Sequence, residues 1–173
     1  MIPVVVLNYN GLRFLEGCIN SLRNQTYPDL ELIVVDNASS DGSVKFMRER
    51  YPDIKIVVND RNYGFASGYN QAIRKLSSRY VALLNNDVVV DENWLKTLVS
   101  CFESHRNVFA CGSRILLQHP KDRINHAGAR VSILGGGWDE RFLDCQWAES
   151  KEPYLTGCAC GAAMMVNRKV FLN

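Results

Sequence analysis

Polar side chains of the kinds that bind metal ions and anions follow four short apolar runs in the first half of the chain. The four clusters are Asn8-Tyr9-Asn10, Asp36-Asn37, Asn59-Asp60-Arg61-Asn62 and Asn85-Asn86-Asp87. Any one cluster fits an ordinary turn, because Asn and Asp are common turn residues. Four clusters together, with a Tyr among them, favour a ligand site.

These residue types suit a phosphate-bearing ligand held through a divalent cation. Mg²⁺ typically takes one or two protein carboxylates and leaves its other positions to phosphate oxygens and water. Asp87 is the leading candidate for the carboxylate ligand. The sequence has no G-x-x-x-x-G-K, and no G-x-G-x-x-G follows the first apolar run. A P-loop enzyme and a dinucleotide-binding dehydrogenase are therefore disfavoured.

The apolar runs before these clusters predict the strands of a parallel sheet. They are Val4 to Leu7, Leu30 to Val35, Ile54 to Val58 and Tyr80 to Leu84, and they show little alternation. Such runs are typical of strands buried on both faces, as in a parallel sheet covered by helices. The carboxyl ends of parallel strands lie at one edge of the sheet, so the four clusters would meet there. In open α/β sheets this is the edge at which ligands bind.

Helical spacing of apolar residues between the runs predicts a βαβ arrangement with right-handed crossovers. The predicted helices cover Phe14 to Leu22, a segment from Ser40 or Asp41 to just before Pro52, Phe65 to Leu76, and Trp94 to Phe102. Asn10 is the predicted N-cap of the first helix and Asp91 that of the fourth. The predicted fold class is α/β, with a mostly parallel central sheet flanked by helices.

The periodic pattern weakens beyond Ser104. Val108 to Leu117 and Tyr154 to Val166 are interpreted as strands, and the stretch between them, with Gly135-Gly136-Gly137-Trp138, as a long mobile loop. We expect one domain over residues 1–173, with a ligand-binding half at 1–104 and a second half at 105–173.

Composition excludes several other classes. A net charge of +2 indicates no nucleic-acid surface, and no apolar stretch approaches the roughly 20 residues that cross a bilayer. The opening run lacks the basic flank of a signal peptide, so we expect a soluble, unexported chain. The six cysteines are interpreted as buried, reduced thiols, and the C-x-C spacing of Cys158 and Cys160 fits alternation along a strand better than a metal site.

Five motifs in order resemble those of family 2 glycosyltransferases with the GT-A fold. They are N-Y-N-G, Q-T-Y-P, V-V-D-N-A-S-S-D-G-S, N-Y-G-F-A-S-G-Y-N and L-L-N-N-D. The likeness spans Ile2 to Phe102, continues more weakly through His126-Ala127-Gly128 and Gly157 to Val170, and is greatest to the rhamnosyltransferase-like branch. It implies a GT-A type nucleotide-diphospho-sugar transferase that moves a sugar, with inversion, to a glycan or lipid-linked acceptor.

The resemblance also implies roles for individual residues. The implied donor-binding residues are Asn8, Tyr9, Asn10, Asp36, Asn62, Gly64, Asn85 and Asn86. For Asp36 the alternative is a cap within its own turn, and for Gly64 and Gly68 it is plain packing. Asn85 stands where the family has the first carboxylate of its D-x-D metal motif. We therefore expect Mg²⁺ or Mn²⁺ to arrive with the nucleotide and to bind Asp87.

The general base of the reaction is expected beyond Asn173, because in the family it follows a strand of small residues, here Leu155 to Val166. The chain is thus expected to bind donor but to transfer sugar poorly. Two alternatives for the base are the segment from Gly137 to Phe142 and His126. Apolar surface near Met164, Val166 and Phe171 is expected to be exposed, and either to be buried in a homodimer or to leave the region mobile.

The expected partners are a UDP- or dTDP-sugar and a glycan or lipid-linked acceptor, with no nucleic acid. The expected location is cytoplasmic, at the inner membrane face through peripheral association. Two other functions remain open: a non-catalytic module that binds nucleotide sugars or assembles with other proteins, and a sugar nucleotidyltransferase. The latter class typically has a Gly-rich, basic loop after the first strand, which Asn8-Tyr9-Asn10-Gly11 lacks.

Overall fold

A computed structural model describes residues 1–134, 136–145 and 153–172, in which six strands form a central sheet of order β3-β2-β1-β4-β10-β5. The strands of this sheet are β1 (Ile2–Asn8), β2 (Leu30–Asp36), β3 (Lys55–Val58), β4 (Tyr80–Asn85), β5 (Ala110–Gly112) and β10 (Ala163–Asn167). Strands β3, β2, β1 and β4 are parallel, whereas β10 runs antiparallel to both β4 and β5. The predicted α/β class and mostly parallel sheet are confirmed.

Helices cover both faces of the sheet, which is why the central strands β1 and β4 are mainly apolar and buried. The helices are α1 (Leu12–Arg23), α2 (Ser43–Arg50), α3 (Gly64–Arg74), α4 (Trp94–Ser104) and the short α5 (Arg168–Phe171). Val4 and Val6 of β1 face a core built with α1, α2 and α4, and Val5 faces a second core built with α3. No helix in the described part of the chain is long and apolar enough to cross a bilayer.

Two helix starts differ from the predicted N-caps. Helix α1 is preceded by Gly11, while Asn10 adopts a positive φ of 49° and accepts a hydrogen bond from Ser40 N at 2.8 Å. Helix α4 begins at Trp94, and Asp91 instead accepts from Asn93 N at 2.9 Å in the preceding turn. Both predictions were wrong for one reason, which is that short Asn and Asp side chains readily hydrogen-bond loop backbone outside the helix.

Helix α2 begins later than predicted, at Ser43 rather than at Ser40 or Asp41. Asp41 is again a loop residue, because its Oδ1 accepts from Ser43 N at 3.0 Å and its Oδ2 from Leu12 N at 2.8 Å. The carboxylate thus joins the start of α1 to the start of α2 instead of entering either helix.

The single strand predicted over Val108 to Leu117 is two short strands in different sheets. Strand β5 belongs to the central sheet, and β6 (Ile115–Leu116) pairs with β7 (Ile124–His126). Ser113 ends the first of them, since its nitrogen donates to Ala163 O at 3.0 Å and its hydroxyl accepts from Trp94 Nε1 at 2.8 Å. The chain leaves the central sheet after Ser113.

The segments predicted as a long loop and a long strand are also different in the structure. The loop contains β7 and a hairpin of β8 (Ala129–Val131) with β9 (Gly137–Asp139). Gly135, part of the Gly135-Gly136-Gly137-Trp138 stretch, lies outside the described residues. Of the predicted strand from Tyr154 to Val166, only β10 is formed. The residues before β10 contact the hairpin instead, with Gly157 N donating to Ala129 O at 2.9 Å.

The apolar surface expected near the last residues is covered in part. Val166 is 1% exposed because β10 lies between β4 and β5, and Met164 is half-buried. Phe171 leaves 39% of its surface to solvent, and its neighbour Val170 leaves 52%. The expectation of an exposed apolar face was therefore wrong for Val166, and a homodimer stays a prediction.

All six cysteines are free, but their burial differs from the expectation of buried thiols. Cys18 is buried in α1, whereas Cys158 is exposed. Cys158 forms an isolated bridge with Ala129 and lies outside any strand, so the predicted alternation of Cys158 and Cys160 along a strand was wrong. Burial, and secondarily the negative charge of Asp87, raises the pKa of the Cys18 thiol to about 12.

Iodoacetamide at pH 8 should label Cys158 in the native protein and leave Cys18 unmodified. A pKa of about 12 leaves about 10⁻⁴ of the Cys18 thiol ionised at pH 8, and the thiolate is the species that reacts. Peptide mass spectrometry after a short reaction checks this, with urea-unfolded protein as the control in which both residues are labelled. Equal labelling of the two in the native protein would contradict the buried position of Cys18.

Candidate functional site

The carboxyl ends of the parallel strands lie side by side, as the sequence predicts. Asn8 pairs in register with Asp36 across β1 and β2, and Leu7 pairs with Asn85 across β1 and β4. Val58, the last residue of β3, is level with Asp36. The four polar clusters at residues 8–10, 36–37, 59–62 and 85–87 therefore meet along one border of the sheet, which we call the strand-end edge.

The side chain of Asn8 lies inside this edge and is fully engaged by the protein. Its amide nitrogen donates to Asp36 Oδ2 at 2.7 Å and to Ser39 Oγ at 3.1 Å. Its amide oxygen accepts from Asn86 Nδ2 at 2.6 Å. Asn8 is 0% exposed, so its side chain serves to hold together the ends of β1, β2 and β4. Its part in donor binding stays a prediction.

Asp36 is also turned inwards. Its side chain is 1% exposed, Oδ2 accepts from Asn8, and Oδ1 accepts from Ser39 N at 2.8 Å. The bond to Ser39 N is the turn-capping arrangement that the sequence leaves open as the alternative to a ligand contact. Ser39, which sequence reasoning missed, additionally accepts from Asn10 N at 2.9 Å and so links the first two clusters.

Asn37 plays a comparable part on the other side of β2 and was not singled out from the sequence. Its amide nitrogen donates to Gly64 O at 3.0 Å, and its oxygen accepts from Asn59 Nδ2 at 2.8 Å. Gly64 has a φ of +74°, which side chains disfavour, and its nitrogen donates to Asn62 Oδ1 at 2.7 Å. A Cβ on Gly68 would lie 2.9 Å from Asn37 Nδ2. Asn62 and both glycines thus shape the start of α3 against the strand-end edge.

The turn after β4 is held on three sides. Asn85 N donates to Ala162 O at 2.9 Å, and Asn85 O lies 3.6 Å from Cys18 Sγ as a hydrogen-bond acceptor. Asn86 is held by its bond to Asn8. The two asparagines that occupy the place of the D-x-D motif therefore anchor the turn and leave the following residue, Asp87, to face outwards.

Asp87 is exposed, and no hydrogen bond or ion pair with another residue of the described ranges occupies its carboxylate. Its negative charge nevertheless acts on the interior behind the turn. Burial first, then the neighbouring Cys18 and Asp87, raises the pKa of the Tyr69 hydroxyl above its usual range. Asp87 also contributes to the raised pKa of Cys18. A cation bound at Asp87 would reduce this effect of its charge on Cys18 and Tyr69.

The residues at the strand-end edge fit a metal ion that a nucleotide carries. Within residues 1–134, 136–145 and 153–172, no group of three or more His, Cys, Asp and Glu residues could hold a metal. The exposed Asp87 carboxylate matches the usual mode of Mg²⁺ binding, in which phosphate and water supply most ligands. Asp60, another exposed carboxylate of this edge, instead accepts a hydrogen bond from the Tyr63 hydroxyl at 2.7 Å.

Tyr9 and Asn10 are the exposed members of the first cluster. Tyr9 leaves 51% of its surface to solvent at the end of β1, directly after the buried Asn8. Asn10 is exposed but tied to the loop after β2 through Ser39 and Ser40. A half-exposed aromatic ring at the end of a strand suits stacking on a planar ligand group.

The two alternative positions for a base lie together in the second half of the chain. His126 Nδ1 and Asp139 Oδ1 are 2.6 Å apart, and Glu140 Oε1 accepts from Arg130 Nε at 2.5 Å. His126 is buried, and its Nε2 has no partner in the described part of the chain. Both candidates are thus engaged by neighbouring side chains, and the base predicted beyond Asn173 lies outside the described residues.

The chain is similar in sequence to known glycosyltransferases. The sequence profile of glycosyl transferase family 2 matches residues 4–172. An uncharacterised glycosyltransferase of Haemophilus influenzae is 30% identical over 170 residues, covering 96% of this chain and 48% of that protein. The Escherichia coli enzyme named UDP-Glc:alpha-D-GlcNAc-diphosphoundecaprenol beta-1,3-glucosyltransferase WfgD is 29% identical over 115 residues, covering 65% of this chain and 45% of that protein. The chain spans about half the length of these relatives.

Solved structures share the fold at lower identity. The mannosyltransferase PcManGT from Pyrobaculum calidifontis, solved with GDP-Man and Mn²⁺, superposes with a TM-score of 0.66 at 19% identity, covering 98% of this chain and 45% of that one. Residues 1–349 of TarS from S. aureus, solved with UDP-GlcNAc, superpose with the same TM-score of 0.66 at 18% identity, covering 98% and 46%.

Proposed function

The chain belongs to glycosyl transferase family 2, and on that premise we propose that it binds a nucleoside-diphosphate sugar at the strand-end edge and serves the transfer of that sugar. The observation that carries the proposal is the position of Asp87. It is the exposed carboxylate at the end of β4, beside the half-exposed ring of Tyr9 and above a buried polar network. A diphosphate needs such a metal-binding carboxylate, since the chain has no P-loop.

The role proposed for each residue follows from its exposure to solvent. Tyr9 stacks on the nucleoside, and Asp87 binds a divalent cation, Mg²⁺ or Mn²⁺, that supplies electrostatic stabilisation of the departing diphosphate when bound. Asn10, Asn62, Gly64 and Asn85 line the donor from the surrounding loops. Asn8, Asp36 and Asn86 hold these loops in place through hydrogen bonds with one another.

The acceptor side of the proposal is a glycan or a lipid-linked glycan, at the inner membrane face. The name of the Escherichia coli relative describes a diphosphoundecaprenol acceptor, which supports a lipid-linked substrate for this chain. We also retain inversion of the sugar, and the rhamnosyltransferase-like branch stays a prediction.

A donor panel tests the proposal. UDP-glucose, UDP-GlcNAc, dTDP-rhamnose and GDP-mannose are each titrated into the protein by calorimetry with Mn²⁺, and release of nucleoside diphosphate is followed in parallel. We expect binding of at least one donor and slow release of its diphosphate. Binding without release supports the non-catalytic module, release of pyrophosphate from a triphosphate and a sugar phosphate supports a nucleotidyltransferase, and no binding contradicts the proposal.

Replacing Tyr9 with alanine should weaken nucleotide binding without lowering stability. The ring is half-exposed, so the folded protein loses little buried area, whereas a stacked base loses an aromatic contact that is typically worth about 1–3 kcal/mol, or roughly five- to hundredfold in Kd. Calorimetry with the bound nucleotide measures the loss, and Tyr9→Phe is the control that keeps the ring and should bind normally. Unchanged affinity in Tyr9→Ala removes Tyr9 from the site.

A further inference from the structure

We propose that Phe65 contacts the sugar of the bound nucleotide sugar and so sets how much the sugar adds to donor affinity; this inference rests on the proposed function. Phe65 is the second residue of α3, next to Gly64 at the strand-end edge. Half of its surface, 50%, is open to solvent. The neighbouring aromatic residue of the same helix, Tyr69, is instead buried at 2% exposure.

One side of the Phe65 ring is fixed by Tyr69. The two rings meet edge to face, with centroids 5.1 Å apart and planes at 75°. Tyr69 is itself held by the strand-end edge, because its hydroxyl donates to Leu84 O at 2.8 Å and lies 3.5 Å from Asn85 Oδ1. The orientation of Phe65 is therefore tied to the end of β4, two residues before Asp87.

Another side of the ring is set by Gly161. A Cβ on this glycine would lie 2.9 Å from Phe65 Cζ and 3.0 Å from Cε1, closer than side chains pack. The next residue, Ala162, accepts the hydrogen bond from Asn85 N. The absence of a side chain at Gly161 thus lets the ring approach the segment that supports the turn of Asn85 and Asp87.

The ring consequently stands between α3 and the segment before β10, and both of its neighbours, Tyr69 and the Gly161-Ala162 backbone, also contact Asn85 at the end of β4. At this edge it is an apolar surface among amides and carboxylates. The C–H face of a sugar ring is apolar, and sites for small ligands combine such aromatic surfaces with a few polar groups. A diphosphate held at Asp87 would carry its sugar on the side of the turn where Phe65 and Gly161 meet.

The test separates the sugar from the nucleotide. Affinities for UDP and UDP-glucose are measured by calorimetry with Mn²⁺, or for the dTDP or GDP pair if the unmutated protein binds that pair instead. Phe65→Ala should weaken the sugar conjugate about three- to tenfold while leaving the bare nucleotide within about twofold. Phe65→Leu is a milder change that can be used if Phe65→Ala does not fold. It should also weaken the sugar conjugate more than the bare nucleotide, but by a smaller factor.

Gly161→Ala gives an independent arm. Its added methyl group should displace the Phe65 ring and reduce the sugar contribution, as Phe65→Ala does. In the Phe65→Ala background, Gly161→Ala should add little, because the ring it displaces is already gone. Phe109→Ala is the matched control. That residue is 62% exposed next to β5, at the opposite end of the sheet, and its replacement should change neither affinity.

Loss of sugar affinity alone, with non-additive Phe65 and Gly161 variants, supports the inference. An unchanged sugar contribution in Phe65→Ala, or an equal loss for nucleotide and conjugate, overturns it while the proposed function stands. No nucleotide binding by the unmutated protein overturns the proposed function and this inference with it.

Discussion

Asp87→Ala should abolish the effect of divalent metal on nucleoside diphosphate binding. In the unmutated protein, Mn²⁺ should strengthen binding of the diphosphate, because the metal joins the phosphate oxygens to the exposed Asp87 carboxylate. In the variant, affinity with Mn²⁺ should fall to the level seen in EDTA. Loss of residues that merely support metal ligands typically costs 10–100-fold, so loss of the ligand itself should cost at least about tenfold.

Two further variants make this measurement specific. Asp87→Asn keeps the size of the side chain and removes its charge, and it should behave as Asp87→Ala does. Asp53→Ala removes an exposed carboxylate that pairs with Arg23 before β3, at the opposite edge of the sheet, and should retain the full metal effect. Equal nucleotide affinity of the unmutated protein with Mn²⁺ and with EDTA would show that Asp87 does not act through a metal.

Asn8→Ala should lower the free energy of unfolding by about 3 kcal/mol. The substitution leaves the buried Asp36 carboxylate without one of its two hydrogen-bond donors and leaves Asn86 Nδ2 without its acceptor. Unpaired buried groups cost about 1–3 kcal/mol each, and more when charged. For a chain of this length, the melting temperature should fall by roughly 6–12 °C.

The matched control is Asn59→Ala, which removes a neutral amide contact to Asn37 at the end of β3 and should cost only about 1 kcal/mol. Adding Asp36→Ala to Asn8→Ala should cost less than the sum of the single changes, because the unpaired carboxylate is removed with its partner. Thermal unfolding at fixed pH is measured for the unmutated protein, the three single variants and the double variant. Additive losses, or an Asn8→Ala protein as stable as Asn59→Ala, would contradict a coupled network.

The parts of the fold that sequence reasoning predicts are those with a strong physical signature. Strands buried on both faces must be continuously apolar, so Val4 to Leu7 and Tyr80 to Leu84 are visible without an alignment. Parallel pairing then brings the residues after each strand together, which predicts the meeting of Asn8, Asp36 and Asn85.

The direction in which each polar side chain points is not visible in the same way. Asn8 and Tyr9 are neighbours, yet Asn8 is buried in a network and Tyr9 is open to solvent. Strand geometry alternates successive side chains, but which one faces a ligand depends on loop residues such as Ser39. Burial of Asp36 therefore emerges only from contacts between loops.

The second half carries weaker signals because its strands are short. Strands β6 to β9 have two or three residues each, too few for a period to show. The contact of Phe65 with Gly161 joins residues far apart in sequence, and neither residue type alone indicates it.

Mn²⁺ is paramagnetic, so nuclear magnetic resonance can show whether a metal and a nucleotide bind together at the strand-end edge. Amide resonances of the isotope-labelled chain of 173 residues are recorded with Mn²⁺ alone and after addition of the nucleoside diphosphate that binds. We predict that addition of the nucleotide causes strong paramagnetic broadening of the amide resonances around Asp87, including those of Tyr9 and Asn86. The resonances of Tyr27 and Asp53, at the opposite edge of the sheet, should stay sharp. Broadening centred on the opposite edge, or no change when nucleotide is added, would contradict joint binding of metal and nucleotide at the strand-end edge.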